Sequence, residues 1–395
     1  MEKSLKIAKS RTWAEINLDA LENNVNIFKK FLTKNEKFLA VIKADAYGHG
    51  LIPVAKKLQQ CKVDMFGVAA VQEAIKLREN GIKTPILILG QSPPELAEEI
   101  CEYNITQAIE NLEIAKIFSQ KALELKKKIK IHIKIDTGMG RIGFYWPGET
   151  KDKSKDKEEK LKIAKNILEA TKLPGLEVEG IFSHFADADN KEYSSIQINK
   201  FIEVNKYLSE LGCNIKIRHL SASVAIVNYP EAHFDMDRFG LILYGYASTV
   251  TGNKEINYNL IPLMTIKSKI TAVRKLPKDT TISYGCTYKL KRDSIIAVVP
   301  CGYADGFPRI LSNKANIKIH NKLFPIVGRV CMDMMMVDVT DAKIEIKPGD
   351  IAIVFDEDLF VEGAQKAGTI IHEMLTDILP RVTRIYISKG KELLS

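Results

Sequence analysis

Eight short apolar runs, spaced by helical patterns, fill the first two thirds of the chain, and this repeat most narrows the folds open to it. The runs are Phe38–Ala44, Met65–Ala70, Pro85–Gly90, Ile105–Ile109, Ile129–Asp136, Leu176–Phe185, Ile215–Ser223 and Phe234–Gly245. Strands that alternate with helices pair in parallel, because each return to the same strand direction needs a crossover. Eight such units in roughly 250 residues are what a (β/α)8 TIM barrel requires. An open doubly wound sheet is the competing architecture. Ahead of the first run a helix is expected, with Asp19 as N-cap, Glu22 in the capping-box position, and Leu21, Val25, Phe28 and Leu32 on one face.

Two stretches depart from this rhythm. From Trp146 to Lys160 a dense mixture of charges reads as a solvated excursion leading into the next helix. Past residue 258 the period changes to two: Met264, Ile266, Ser268, Ile270 and Ala272 alternate with polar neighbours, and further β-like runs follow at Thr280–Gly285, Ser294–Pro300, Ile317–Gly328, Met334–Thr340 and Asp350–Phe355. Thr369–Leu379 reads as one helix and Arg381–Ser388 as a closing strand. A chain of 395 residues exceeds the usual size of a single core, and its 46% hydrophobic content supplies two. The expected organisation is therefore a barrel over residues 1–258 and a mostly β domain over 259–395.

Composition narrows the function classes. The formal charge of +9 is dispersed among lysines, without a basic arm or arginine–aromatic interleaving, which argues against nucleic-acid binding. The N-terminal MEKSLKIAKSRTW lacks the apolar core of a signal peptide, and no stretch approaches the roughly 18 apolar residues of a membrane span, so a cytoplasmic protein is expected. The cysteines Cys61, Cys101, Cys213, Cys286, Cys301 and Cys331 form no CxxC pair, which fits reduced thiols rather than a disulfide framework or a zinc site.

In a barrel, function collects at the C-terminal ends of the strands. Lys43 closes the first apolar run and opens the turn ADAYGHG, where apolar surroundings disfavour the ammonium form and free the amine for attack on an aldehyde such as that of pyridoxal phosphate. Alone, it would read as a lysine snorkelling from a strand end. Other polar residues fall at the same level: Lys134, Asp136 and Arg141 at or after the fifth run, His184 at the end of the sixth, Ser223 after the seventh, and Arg238, Gly240 and Leu241 in the eighth. Loops after strands seven and eight are a recurrent phosphate site, and Gly240 lets backbone N–H groups approach an anion. A phosphorylated cofactor opposite Lys43 follows. Gly138–Gly143, GMGRIG, satisfies G-x-G-x-x-G, but no apolar helix starts there and the acidic residues twenty positions on lie in a Lys/Glu run, so a dinucleotide site is not expected. His184, Asp187 and Asp189 lack further histidines at ligand spacing, and no metal is expected.

Taken in order, AEINLDAL, VIKADAYGHG, IKIDTGMGRIG, GIFSHFADAD, DRFGLILYG, SYGCTY, CGYADG and GRVCMDMMMVD closely resemble the pyridoxal-phosphate-dependent alanine racemases. The resemblance covers nearly the whole chain outside the extreme N-terminus and the charged excursion. It implies a barrel plus a β domain in a head-to-tail homodimer with shared active sites. It also implies interconversion of L- and D-alanine by two bases, feeding peptidoglycan synthesis. Lys43 would hold the cofactor and serve one face of the substrate, and Tyr284 of the partner subunit the other. A free tyrosine titrates near pH ~10, and His184 matches the family histidine that hydrogen-bonds this tyrosine. Arg238 would face the pyridine nitrogen, keeping it unprotonated, with His219 supporting the arginine.

By the same resemblance Arg141 would contact the substrate carboxylate, and Lys134 is the position many family members carry as a carbamate. Tyr47, Ser223, Gly240 and Leu241 would bind the phosphate. Tyr303 and Met332 match residues that the partner subunit contributes to the entrance and carboxylate site, with Asp333 beside them. Two positions depart from the family. Ala222 stands where an asparagine commonly precedes the serine, and His372 stands where a tyrosine commonly binds the phosphate. A racemase of the same fold acting on serine, lysine or arginine is the nearest alternative. A fold-related decarboxylase is opposed by Arg238, and a non-catalytic pyridoxal phosphate carrier would have no use for the second domain.

Overall fold

The computed structural model describes residues 2–33, 35–246 and 259–394. Eight parallel strands run Lys37–Val41, Met65–Val68, Ile86–Ile88, Thr106–Ile109, Ile129–Asp136, Leu176–Phe182, Ile217–His219 and Met236–Phe239. Each of the first six pairs with its successor, and the eighth returns to the first with Arg238 opposite Leu39. Closure between the seventh and eighth is made by single backbone bonds, from Asp235 N–H to Arg218 O (2.9 Å) and Arg238 N–H to Ser221 O (3.2 Å). The barrel is the expected one, and the open sheet is excluded. Its short strands are buried throughout because helices cover the outside and side chains fill the inside, which is why they read as unbroken apolar runs.

The outer helices follow local rules. Leu112–Glu124 starts where the Asn111 side chain accepts the Ile114 N–H (2.8 Å), and it buries Ala115, Phe118, Ser119 and Ala122 on one stripe. The first amphipathic helix, Leu18–Lys29, is capped by Asn17 rather than by the expected Asp19. Asn17 ends a strand in extended backbone, so its Oδ1 reaches the N–H groups of Asp19 and Ala20, both at 3.0 Å. Asp19 instead accepts from the Lys389 N–H (2.6 Å) and the Ser388 hydroxyl (3.1 Å). The charged excursion also differs from a solvated loop. Helix Lys153–Thr171 begins inside it, capped by Asp152. Trp146 is fully buried, and its indole N–H and Lys160 both bind Glu203, at 2.8 and 2.7 Å.

The second domain is mostly β. Its seven-stranded sheet runs Lys322–Pro325, Asn316–Ile319, Ile351–Phe355, Met264–Lys269, Thr12–Asn17, Thr383–Ser388 and Lys391–Leu394. Strand Thr12–Asn17 lies antiparallel to Met264–Lys269 and parallel to Thr383–Ser388. The expected division after residue 258 falls at the edge of residues 247–258, outside the described residues, and it is not a division in space: the N-terminal strand sits inside the C-terminal domain's sheet. Three more strands, Ala272–Leu276, Ser294–Val299 and Met335–Asp338, form a separate antiparallel sheet. The expected helix near the end spans Ile371–Thr376. A second, Glu357–Ala367, precedes it, capped by Asp356 and ended by Gly368 at φ 73°. Among the described residues, no helix is long and apolar enough to cross a membrane.

Candidate active site

Lys43 leaves the first barrel strand into a left-handed turn. Ala44, Asp45, Ala46 and Tyr47 all have φ between 53° and 55°, which costs roughly 1–2 kcal/mol for each L-residue. The surroundings over-determine the turn. Glu73 accepts the Ala44 N–H (2.6 Å), Asp45 accepts the Leu51 N–H (2.8 Å), and His49 Nδ1 meets the carbonyls of Ala46 and Tyr47 at 3.0 and 2.8 Å. Burial lowers the His49 pKa to about 4, so its neutral ring donates from Nδ1. From the second domain, Arg384 donates to Gly48 O. Gly48 needs its missing side chain, because a Cβ would lie 2.1 Å from Leu375 O.

The turn forms one wall of a cavity of about 650 Å3 at the C-terminal face of the barrel. Lys43, Tyr47, Lys134, Arg141, His184, Ser223, Arg238, Gly240, Leu241 and His372 all line it, so ten separately predicted residues converge. Ala222 lines it too. Helices Glu357–Ala367 and Ile371–Thr376 close it from the second domain through Val361, Ala364 and His372. Lys43, Lys134, Arg141 and Arg238 face a single carboxylate, Asp189, among its lining side chains, a balance that suits an anionic ligand. Burial, then the charge of Arg141, lowers the Lys43 pKa and favours the free amine. Lys134 is driven well below its ordinary value by burial and by Arg238 and Arg141, and its Nζ lies 4.7 Å over the Phe182 ring. Burial and Lys43 also lower His372, whose ring centroid lies 5.8 Å from that of Tyr47.

Arg238 is the hub of the floor. Its Nη2 donates to Ser183 O and Leu220 O, both at 2.8 Å, and to His184 Nδ1 at 3.1 Å. Its Nη1 donates to His219 Nδ1 at 3.1 Å. Burial lowers the guanidinium only to about 10, so it stays charged at neutral pH. Their own burial, then the charge of Arg238 and, for His219, the neighbouring His132 hold His184 and His219 well below the usual histidine range. Both rings are therefore neutral, and because an arginine only donates, each carries its proton on Nε2.

Opposite this floor Gly240 separates two hydroxyls. A Cβ there would lie 3.0 Å from the Tyr47 hydroxyl and 3.3 Å from Ser223 Oγ, so glycine keeps the space between them open. Burial raises Tyr47, which stays a protonated donor. The GMGRIG loop has a different use from a phosphate cradle. The N–H groups of Gly138, Met139, Gly140 and Arg141 point at the Asp136 carboxylate at 2.9, 2.8, 3.2 and 3.1 Å. These donors are consumed internally, and the loop's product is the placement of Arg141.

Tyr284, Tyr303, Met332 and Asp333 do not join the cavity of their own chain. Tyr284 is 71% exposed, Met332 53% and Tyr303 40%. Asp333 binds Arg381 at 2.7 Å. Two site residues escaped the sequence reading. Phe182 lines the cavity and stacks on His219, with centroids 4.7 Å apart and planes at 4°. His132 lies behind His219, its Nδ1 2.8 Å from His219 Nε2. Strand period two was the available signal, since Phe182 precedes His184, and His132 precedes Lys134, by two residues on one face.

Glu36, His233 and Asp237 also converge, at the N-terminal end of the barrel. The His233 ring meets Asp237 through Nδ1 (2.6 Å) and Ile226 O through Nε2 (2.8 Å), so both nitrogens already face acceptors and neither offers a metal a lone pair.

A barrel whose C-terminal face holds a cationic cavity with a lysine of lowered pKa, closed by a β domain, defines the class: a two-domain barrel protein with a buried amine at an anion-attracting site. The family models "Alanine racemase, N-terminal domain" and "Alanine racemase, C-terminal domain" match residues 16–248 and 263–386. The chain belongs to the alanine racemase family, whose members are isomerases. It is 40% identical over 386 residues to an alanine racemase of Clostridium novyi, covering 96% of both chains. Its structure is similar to that of an alanine racemase of Clostridium difficile, with TM-score 0.89, 40% identity and 97% of each chain covered. It is also similar to the alanine racemase from Bartonella henselae with covalently bound pyridoxal phosphate, with TM-score 0.84, 27% identity, and 96% and 100% covered.

Proposed function

We propose that the chain interconverts L- and D-alanine with pyridoxal 5'-phosphate, in a homodimer whose two active sites each combine residues of both subunits. The separation of Tyr284 from Lys43 carries this reading: one base lies inside the barrel cavity and the other stands 71% exposed on the second domain. A second copy brings Tyr284, Tyr303 and Met332 to the mouth.

The residues fit the cofactor. The gap that Gly240 keeps open between the Tyr47 and Ser223 hydroxyls suits a phosphate, with Leu241 and the neutral His372 beside it. Lys43 would hold the cofactor through its aldehyde carbon, and Arg238 would face its pyridine nitrogen. When bound, the cofactor withdraws electrons from the substrate Cα and makes its proton removable. Arg238 cannot accept a proton, so it limits how far that withdrawal reaches. Lys43 Nζ moves the proton on one face and the Tyr284 oxygen on the other. His184, with its only proton on Nε2, donates to that oxygen and stabilises the phenolate. Arg141 binds the substrate carboxylate. An uncharged Lys134 amine is the form that would add to carbon dioxide, forming the N–C bond and losing one N–H proton to water, and the resulting carbamate would orient Arg141. The product serves peptidoglycan synthesis in the cytoplasm.

Purified protein with added pyridoxal phosphate is incubated with each L-amino acid in turn and resolved by chiral chromatography. D-alanine is the expected dominant product. Tyr284→Phe lowers racemisation at least about 100-fold while leaving the cofactor's visible absorbance intact. Full activity in that variant refutes the two-base assignment.

A further inference from the structure

His132 is completely buried in the barrel, one layer below the cavity. Its ring fits only because the facing residue on the next strand is Gly180, where a Cβ would lie 2.6 Å from His132 Nδ1. A buried histidine in an apolar interior is costly, and this one leaves Nε2 without a partner among the described residues. Leucine or valine, which fill most barrel interiors, would avoid that cost. The histidine offers instead one acceptor atom, Nδ1, 2.8 Å from His219 Nε2.

Three groups therefore lie in a row, with one direction of donation. Arg238 Nη1 donates to His219 Nδ1, and His219 Nε2–H donates to His132 Nδ1. The Phe182 ring, stacked on His219, gives that imidazole no other polar neighbour on that face. We propose that His132 is a positioning residue for racemisation: its Nδ1 holds His219 as the Nε2–H tautomer, which turns the His219 Nδ1 lone pair onto Arg238 and fixes the guanidinium plane. The role rests on the reading of Arg238 as the partner of the pyridine nitrogen.

The row also keeps charge where it is needed. If Arg238 passed a proton to His219 Nδ1, His219 would pass its Nε2 proton to His132 Nδ1, leaving a buried imidazolium. Burial and the charge of Arg238 lower His132 to about 3, so that transfer is uphill and the positive charge stays on the guanidinium. His132 acts as an acceptor too weak in basicity to become a sink.

The test is made on the full chain labelled with 15N-histidine, with and without pyridoxal phosphate. Nitrogen spectra between about pH 6 and 8 are expected to show His219 and His132 each with a single proton, on Nε2. His132→Leu removes the acceptor. It is expected to shift the His219 nitrogen resonances and lower kcat about tenfold with little change in KM, the scale of one lost hydrogen bond in a buried row. His132→Asn places Oδ1 near the former Nδ1 and is expected to restore kcat to within about threefold and the His219 resonances to near their original positions. An imidazolium or an Nδ1–H tautomer at His219 overturns the proposal. So does an Asn variant that folds with the wild-type Tm yet loses as much kcat as the Leu variant. If the wild-type chain racemises nothing, the proposed activity fails, while the spectra still decide whether His132 sets the His219 tautomer.

Discussion

Gly143→Ala, read against Gly140→Ala, tests whether the GMGRIG loop exists to place Arg141. The two glycines flank Arg141, both with positive φ, +68° at Gly140 and +121° at Gly143. Around Gly140 a Cβ would meet nothing within 4 Å, so alanine there pays only the left-handed backbone cost, about 1–2 kcal/mol. At Gly143 a Cβ would lie 2.8 Å from Asp136 N and 2.9 Å from Ile135 C and Lys134 O. All three are backbone atoms of the fifth barrel strand, so no rotamer change relieves the clash. Overpacking of this kind costs a further 1–3 kcal/mol or so, for a total of about 2–5 kcal/mol. The loop yields more readily than the strand, and Arg141, two residues away, moves with it. A misplacement of about 1 Å at a substrate-positioning residue can cost 100-fold in rate. Urea denaturation and racemisation kinetics on both variants check this. Gly143→Ala is expected to lose about 100-fold in kcat/KM, and Gly140→Ala less than about tenfold. Equal kinetic losses would show that backbone conformation alone matters, and wild-type kinetics in Gly143→Ala would refute the placement argument.

Two further substitutions probe what holds the site together. Asp305 is fully buried and accepts from Arg11 Nη1 and Nη2 (2.5 and 2.7 Å), Arg381 Nε (2.9 Å) and Gly302 N–H (2.9 Å), tying the N-terminal segment to the loop that carries Tyr303. Asp305→Ala should cost about 1.5–3 kcal/mol, the scale of a lost hydrogen bond to a charged group, because the Arg11 and Arg381 side chains are 32% and 40% exposed and both keep Asp333. A urea midpoint within error of wild type would refute that role. Asp136 gives a pH signature. Burial raises its pKa, but the four N–H donors of Gly138, Gly140, Met139 and Arg141 outweigh that and hold it below the usual carboxylate value. A depressed pKa contributes stability fully present above the unfolded value of about 3.9 and lost as pH falls through the folded one. The stability gap between wild type and Asp136→Asn should thus be constant from about pH 7 to 5 and shrink below about pH 4. A gap unchanged at low pH would show that the carboxylate charge is not what the loop binds.

Much of this protein is local chemistry and was legible as such. Burial on both faces forces a parallel barrel strand to be apolar throughout, so the eight runs showed themselves without any knowledge of their pairing. Period-two alternation did the same for Met264–Lys269, whose burial alternates residue by residue. Lys43 could be placed at the end of the first strand and Arg238 within the eighth because the apolar runs carry both, and a barrel gathers function at that face. Where the residues failed to speak, the cause was a partner distant in sequence. Asp19 looks like a cap, yet its carboxylate serves Lys389 and Ser388. Charges from Trp146 onward look solvated, yet Lys160 is anchored by Glu203. The domain cut after residue 258 looks natural, yet Thr12–Asn17 completes a sheet with Thr383–Ser388.

Sequence alone determined the periodicities, and with them the barrel, the β domain and the residue types gathered at the strand ends, because side-chain period and turn chemistry are written within a few residues. Tertiary structure alone decided which tautomers those residues hold and what each costs. Burial and charge at a site are sums over neighbours from every strand: Arg238 fixes the protons of His184 and His219, Gly180 makes room for His132, and Leu375 requires Gly48. No window of the chain contains those sums.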